Sequence, residues 1–298
     1  MIVCRLFLSA NACVKKIFCG IFILEGIFAT QVNIPAGRFR MGRNGAARHD
    51  QGPAFWVNLK AFKIDATLVS YADFRRFVTE TKYVTSAEKN GYVLAAFEGM
   101  GEYEWKQLKG ASWRAPYGAD KSGTWPMQDD FPVTAISWND ADAYCRHYGK
   151  RLPTEAEWEY AMRAGSQGTR FPWGDSTRDK NGKYLLNYWQ GRDHKHNENE
   201  DGYMYLSPVK AFPPNAWGIY DPVGNVWQYT ADWYGAFDEK EKINPKGPAT
   251  GTLKVARGGS WWCSFHACNA FGLFYRGKSL PDAPFSNNGF RCVSSPEK

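Results

Sequence analysis

A chain of 298 residues with 44% apolar side chains is globular and long enough to bury a sizeable core. Its net charge of +7 is scattered along the chain rather than clustered, which excludes a nucleic-acid-binding stripe. Thirteen Trp and 29 Gly point to a loop-rich fold in which flat rings fill gaps and glycines allow tight turns.

In chain order, residues 1–29 read as a leader. Lys15 and Lys16 precede the apolar run IFCGIFILEGIFAT, which is too short to span a bilayer and ends in small residues near Ala29. A cleaved signal peptide is expected, so the protein is exported, to the periplasm, the medium or a secretory lumen, without stable membrane insertion. Disulfides persist in such compartments. Cleavage removes Cys4, Cys13 and Cys19 and leaves Cys145, Cys263, Cys268 and Cys292. Residues 31–42 alternate apolar and polar around Pro-Ala-Gly and predict a short hairpin. Residues 56–65 predict one strand. Residues 70–81 predict a helix capped by Ser70, with Asp73 in its first turn and Phe74, Phe77 and Val78 on one face. Residues 83–131 show no period and read as a long functional loop. Asn139 is expected to cap a helix carrying Ala141, Tyr144, Cys145 and Tyr148 and closed by Gly149. Thr154 and Glu157 form the capping box of the next helix, with Trp158, Ala161 and Met162 inward and Gly165 at its end. Residues 218–233 read as turn-rich and aromatic. No repeat or low-complexity linker divides residues 30–298, so they form one domain.

Cys263 and Cys268 sit five residues apart among aromatics. Thiolates are soft ligands that select Cu(I), and two suffice for a near-linear site. Spacing alone leaves a structural disulfide between the two equally open. Zinc held by Cys263, His266 and Cys268 lacks the fourth ligand of a structural site. His194 and His196 lie in a polar run that reads as an exposed loop. The sequence has no phosphate loop, HExxH helix or Ser-His-Asp order.

The stretches IPAGRFRMG, SWNDADAYCRHYGKRLPTEAEWEYAMRAG, FPWGD, YDPVGNVWQYTADW, ARGGSWWCSFHAC and NNGFRC together resemble the sulfatase-modifying-factor family, the formylglycine-generating enzymes. The resemblance spans roughly residues 32–293 and implies an α+β single domain, related to C-type lectins, with little regular secondary structure. It implies reduced copper between Cys263 and Cys268, with Ser260 as an active-site serine. Cys145 and Cys292 match the family's long-range disulfide partners. Trp227 and Asn287 match pocket positions, and Arg276 matches an arginine that holds substrate through its fork of N–H donors. Asn187, Tyr188, Asp201 and Tyr203 match an oxygen-ligand calcium site (Ca2+). Asp221, Gly224, Val226 and Gln228 match a second one, with the acid moved from one end of the set to the other.

The implied reaction converts a cysteine to formylglycine with molecular oxygen. Its implied partner is an unfolded sulfatase or a similar cysteine-containing peptide, met by a monomer. Ala267 and Pro284 depart from the aromatic and the serine that relatives carry at the substrate rim. Met162 and Leu273 stand where vertebrate relatives have a second bridge. Lectin-like binding modules and oxygenases of other substrates share the fold, so fold alone does not choose among these functions.

Overall fold

The computed structural model describes residues 30–45, 49–118, 127–266 and 269–296. The expected leader lies outside them, as do Ala267 and Cys268. Strands β1 (Gln31–Ile34) and β2 (Gly37–Met41) do not pair with each other, so the predicted hairpin is corrected. Each pairs instead with the segment predicted as one strand, which is broken into β3 (Phe55–Leu59) and β4 (Phe62–Asp65). One register runs through both ladders, from Gln31 opposite Asp65 to Met41 opposite Phe55. The break falls at Pro35, which has no N–H to donate. Alternation marks a strand but does not name its partner.

Helix α1 (Tyr71–Thr81) has the Ser70 cap and buries Phe74, Phe77 and Val78, as expected. The stretch read as a long loop contains α2 (Ser86–Asn90) and the antiparallel pair β5 (Tyr92–Ala95) and β6 (Lys106–Lys109). Helix α3 (Trp138–His147) is capped by Ser137 rather than Asn139. Ser137 and Asp140 satisfy each other's backbone N–H, and Asn139 is left exposed. Helix α4 (Glu155–Arg163) has the predicted Thr154–Glu157 box. It ends one residue before Gly165, at Ala164 in the left-handed region.

The turn-rich stretch supplies β7 (Trp227–Trp233), a strand of the sheet that carries the site. β8 (Lys242–Ile243) is a short parallel addition to β3. β9 (Lys254–Gly258) and β10 (Gly272–Ser279) follow, then β11 (Asn288–Gly289) and β12 (Val293–Ser294). The sheet order β10-β9-β7-β11 brings the end of β9 beside the 287–289 segment. α4 packs on this sheet through buried ion pairs, Glu155 and Glu159 with Arg257 and Glu155 with Arg276. Cys145 on α3 is bonded to Cys292, closing a span of 147 residues. Met162 and Leu273 are both fully buried in one core cluster. Among the described residues no helix is long and apolar enough to cross a membrane.

Candidate active site

The backbone turns sharply where β9 ends. Gly258 and Gly259 both have positive φ, at 97° and 80°. A Cβ on Gly259 would stand 2.3 Å from the Cβ of Phe271, so only glycine lets the two segments approach. The chain then presents Ser260 and Cys263, both buried, in one tight turn closed by Cys263 N–H donating to Ser260 O at 3.0 Å. Ser260 Oγ accepts from Asn287 Nδ2 at 3.0 Å and from Trp262 N–H at 3.3 Å. It faces Cys263 Sγ at 3.9 Å, and the same sulfur lies 3.8 Å from Ala270 O. Asn287 Oδ1 is buried with no hydrogen-bond partner among the described residues, an acceptor left for something else.

Cys268 lies outside the described residues. Asn269 N–H donates to Ser264 O at 2.9 Å, so the residues after the two cysteines meet. Arg170 holds the returning strand by Nε to Phe271 O at 2.9 Å and Nη2 to Asn269 Oδ1 at 2.7 Å. Phe265, 40% exposed, packs edge-on against Tyr188 and Phe271 and under the Arg170 guanidinium. A cavity of about 310 Å3 adjoins this loop, walled partly by Tyr188, Gln190, Phe265 and His266.

Two predicted pocket residues, Arg276 and Trp227, have partners within the protein. Arg276 is buried, with Nε and Nη2 on the two Glu155 oxygens and Nη1 on the carbonyls of Asp50 and Gly235. The expectation of a substrate grip is corrected: this guanidinium ties β10 to α4. Trp227 lays its ring over Gly277 and positions Asn287 through its backbone N–H, which donates to Asn287 O at 2.9 Å.

The first calcium set converges in part. Asp201 Oδ1 accepts from Tyr203 N–H at 2.9 Å, and Oδ2 from Tyr188 N–H at 3.2 Å. Gln190 Nε2 donates both to Asp201 Oδ2 and to Tyr188 O, so a carboxylate and a carbonyl already aim at one donor. Asn187 is buried beside them, its Nδ2 on Tyr205 O and Asn225 Oδ1. Burial pushes Asp201 up to about 6, against these donations.

In the second calcium set, Gln228 Oε1 and the Asp221 carbonyl are bonded within the protein. Gln228 Oε1 accepts from Trp158 Nε1 and Arg291 Nε, at 3.0 and 2.8 Å. Arg291 Nη2 also donates to Asp221 O at 2.9 Å, so a guanidinium bridges the two ends of the set.

Sequence reasoning missed His194 and Asn225. His194 is buried, not exposed: its ring stacks on Trp262 at 3.7 Å, with Nε2 2.7 Å from Trp262 O. Burial lowers its pKa, leaving it a neutral brace behind the Cys263 turn. The polar run around it gives no sign of this. His196 is exposed, as expected, beside Glu98 at 3.3 Å. Asn225 joins the two halves of the site, because Trp261 N–H donates to Asn225 O and Asn225 N–H to Asn187 O, each at 2.9 Å.

Small antiparallel sheets, short capped helices and a glycine-turned loop that holds one buried thiol against a serine and an asparagine define the class. The chain belongs to the sulfatase-modifying factor enzyme 1-like family, whose domain matches residues 26–296. It is 43% identical over 280 residues to the formylglycine-generating enzyme of Mus musculus, covering 88% of this chain and 74% of that one. To the formylglycine-generating enzyme of Streptomyces coelicolor it is 40% identical, over 89% and 88%. It is also 38% identical to the inactive C-alpha-formylglycine-generating enzyme 2 of Bos taurus, over 91% and 89%. Among solved structures, PvdO from Pseudomonas aeruginosa superposes with a TM-score of 0.64 at 25% identity, over 89% of this chain and 94% of that one. Since one relative is named inactive, membership does not decide turnover, and the side chains must carry that argument.

Proposed function

We propose that this protein converts a cysteine in a sulfatase-type peptide to formylglycine, with Cys263 and Cys268 holding Cu(I) and molecular oxygen as oxidant. The observation that carries the reading is the setting of Cys263: a buried thiol at the foot of a closed loop, faced by Ser260 Oγ and backed by Asn287. The donor set suits the metal, since thiolates are soft ligands that favour a soft monovalent ion. When bound, copper would hold the substrate thiolate and bring it into reaction with oxygen. In sum the substrate's thiol S–H and Cβ–H give up two protons and two electrons to oxygen, which leaves as hydrogen peroxide. The thioaldehyde so formed takes up water and releases sulfide, leaving the aldehyde.

The chain's own groups orient and exclude water. Asn287 fixes the Ser260 hydroxyl through its amide N–H. Phe265 and Tyr188 supply an apolar wall at the mouth. The test is conversion of a cysteine peptide in which proline and arginine follow two and four residues on, read by mass spectrometry as loss of sulfur and gain of an aldehyde. The expected copper content is a single ion per chain, lost in both Cys263→Ser and Cys268→Ser. Copper-loaded protein that leaves such peptides untouched would overturn the reading.

Calcium at Asn187, Tyr188, Asp201 and Tyr203 belongs to the same proposal as a structural ion, since oxygen donors with one carboxylate suit it. Chelation is expected to lower the melting temperature of the wild type and to leave Asp201→Ala unmoved. A melt insensitive to both chelator and added calcium would remove the ion from the proposal. Export of the chain is part of the same reading, and a formed Cys145–Cys292 bond accords with it.

A further inference from the structure

A cavity of about 660 Å3 lies where β2, the segment after it and the end of α4 meet. It shares no wall residue with the Cys263 loop. Four arginines line it, Arg38, Arg40, Arg43 and Arg163, and no aspartate or glutamate does. Two of the four are neutralised: Arg38 by Glu241 at 3.0 Å and Arg163 by Glu159 at 2.6 Å. Arg40 and Arg43 have no carboxylate within ion-pair distance among the described residues. The α4 C-terminus also reaches this wall, but its dipole amounts to about half a negative charge and is outweighed by two uncompensated guanidiniums.

Three of the four guanidiniums, all but that of Arg40, lie over aromatic rings. Arg38 lies 4.1 Å from the Trp56 centroid, while Arg163 and Arg43 lie 4.5 and 5.5 Å from that of Phe274. Stacking fixes an arginine's plane and leaves its edge to donate, which suits a multi-oxygen anion. Tyr160 and Trp217 add aromatic surface to the wall. Tyr160 packs 5.1 Å from Phe39 and 5.1 Å from Trp217. Its hydroxyl has no hydrogen-bond partner among the described residues. It sits where a Cβ on Gly37 would come within 2.1 Å of it, so the glycine makes its place. Ser166, also on the wall, has a buried Oγ with no partner among the described residues. The volume falls within the range of roughly 300–1,000 Å3 typical of small-molecule sites, more room than a bare ion needs.

We propose that this cavity is a second binding site, separate from the cysteine chemistry, for a small ring-bearing monoester of phosphate or sulfate. The oxyanion is held by Arg40 and Arg43, and the ring lies against Tyr160 and Trp217. Isothermal titration of the full chain at physiological salt tests this with four probes: phenyl phosphate, phenyl sulfate, inorganic phosphate and phenol. The two esters distinguish the head groups, and one of them is expected to bind at least about tenfold more tightly than either inorganic phosphate or phenol, the loss of one charge-assisted contact or one ring contact being of that size. The double variant Arg40→Ala with Arg43→Ala is expected to lose about tenfold or more of ester affinity while its copper content and peptide conversion stay at wild-type levels. Trp217→Leu is expected to weaken the ester but not inorganic phosphate, and near-UV circular dichroism confirms that each variant is folded. Neither ester binding, inorganic phosphate binding as well as the ester, or undiminished ester affinity in the folded double variant would overturn the site. Loss of peptide conversion in that variant would overturn its separateness.

Discussion

The Ser260 hydroxyl accepts from the Asn287 amide and from the Trp262 N–H before it faces the Cys263 sulfur. Ser260→Ala would leave two buried donors without an acceptor, at a cost of about 1–3 kcal/mol. It would also free Asn287 to turn. The expected outcome is a protein that still takes up copper, melts a few degrees lower and converts peptide at least about tenfold more slowly, as befits the loss of a polar contact at the reacting group. Wild-type turnover with a lowered melting temperature would make Ser260 purely structural. At this scale the sequence is informative about residues inside a compact motif. Ser260, Cys263 and Asn287 all fall in short stretches of unusual composition. His194 and Arg170 do not, because their roles come from contacts across large sequence separations: Arg170 acts on residues about a hundred positions away.

Whether an element can be read from sequence depends on how locally it is determined. The caps of α1 and α4 are four-residue signals and stand where expected. In α3 the cap is Ser137, which accepts from the Asp140 N–H while the Asp140 carboxylate accepts from the Ser137 N–H. Strand partners are a different matter. β1 and β2 look like a hairpin but pair with residues 55–65, and β7 lies hidden in a turn-rich stretch. The β9 turn is where element and site meet, which gives a sharp test. Gly259→Ala combines a strained positive φ with a Cβ 2.3 Å from Phe271 Cβ and 2.9 Å from Ala270 O. A cost of about 2–4 kcal/mol is expected from overlap and strain together. Gly91→Ala is the control: its φ is also positive, at 74°, but nothing lies within 4 Å of the new atom. That change should cost only about 1 kcal/mol. Urea unfolding of both variants reads the difference, and equal midpoints would show that the Gly259–Phe271 approach constrains nothing.

Across the whole molecule, few long helices or wide sheets hold the layers together, and the joints are polar and covalent instead. The Cys145–Cys292 bond closes a span of 147 residues, worth about 5 kcal/mol in the chain-entropy model. The other joint is the buried charge cluster where α4 meets the sheet. Removing one partner from such a cluster strands the other and costs about 3–5 kcal/mol. Asp232 sits at its edge. Its Oδ2 accepts from the Glu155 N–H at 2.8 Å, so it caps α4 from a neighbouring strand. Burial first, and then the Glu155 charge, push its carboxyl up to about 7. An acid with a raised folded pKa is still protonated in the native state at pH 5, when the unfolded chain has already lost that proton. The native state therefore binds more protons between about pH 4 and pH 7, and unfolding free energy falls as pH rises through that window, then levels off. Asp232→Asn keeps an oxygen for the Glu155 N–H and removes the titration. The variant should gain on the wild type as pH rises, by an amount on the order of a few kcal/mol at pH 8 relative to pH 4. Subtracting the two stability curves cancels the other raised carboxylates, Asp201 and Asp221 among them. A difference that stays flat from pH 4 to pH 8 would mean that Asp232 is ionised in the fold and that the cluster tolerates a further negative charge.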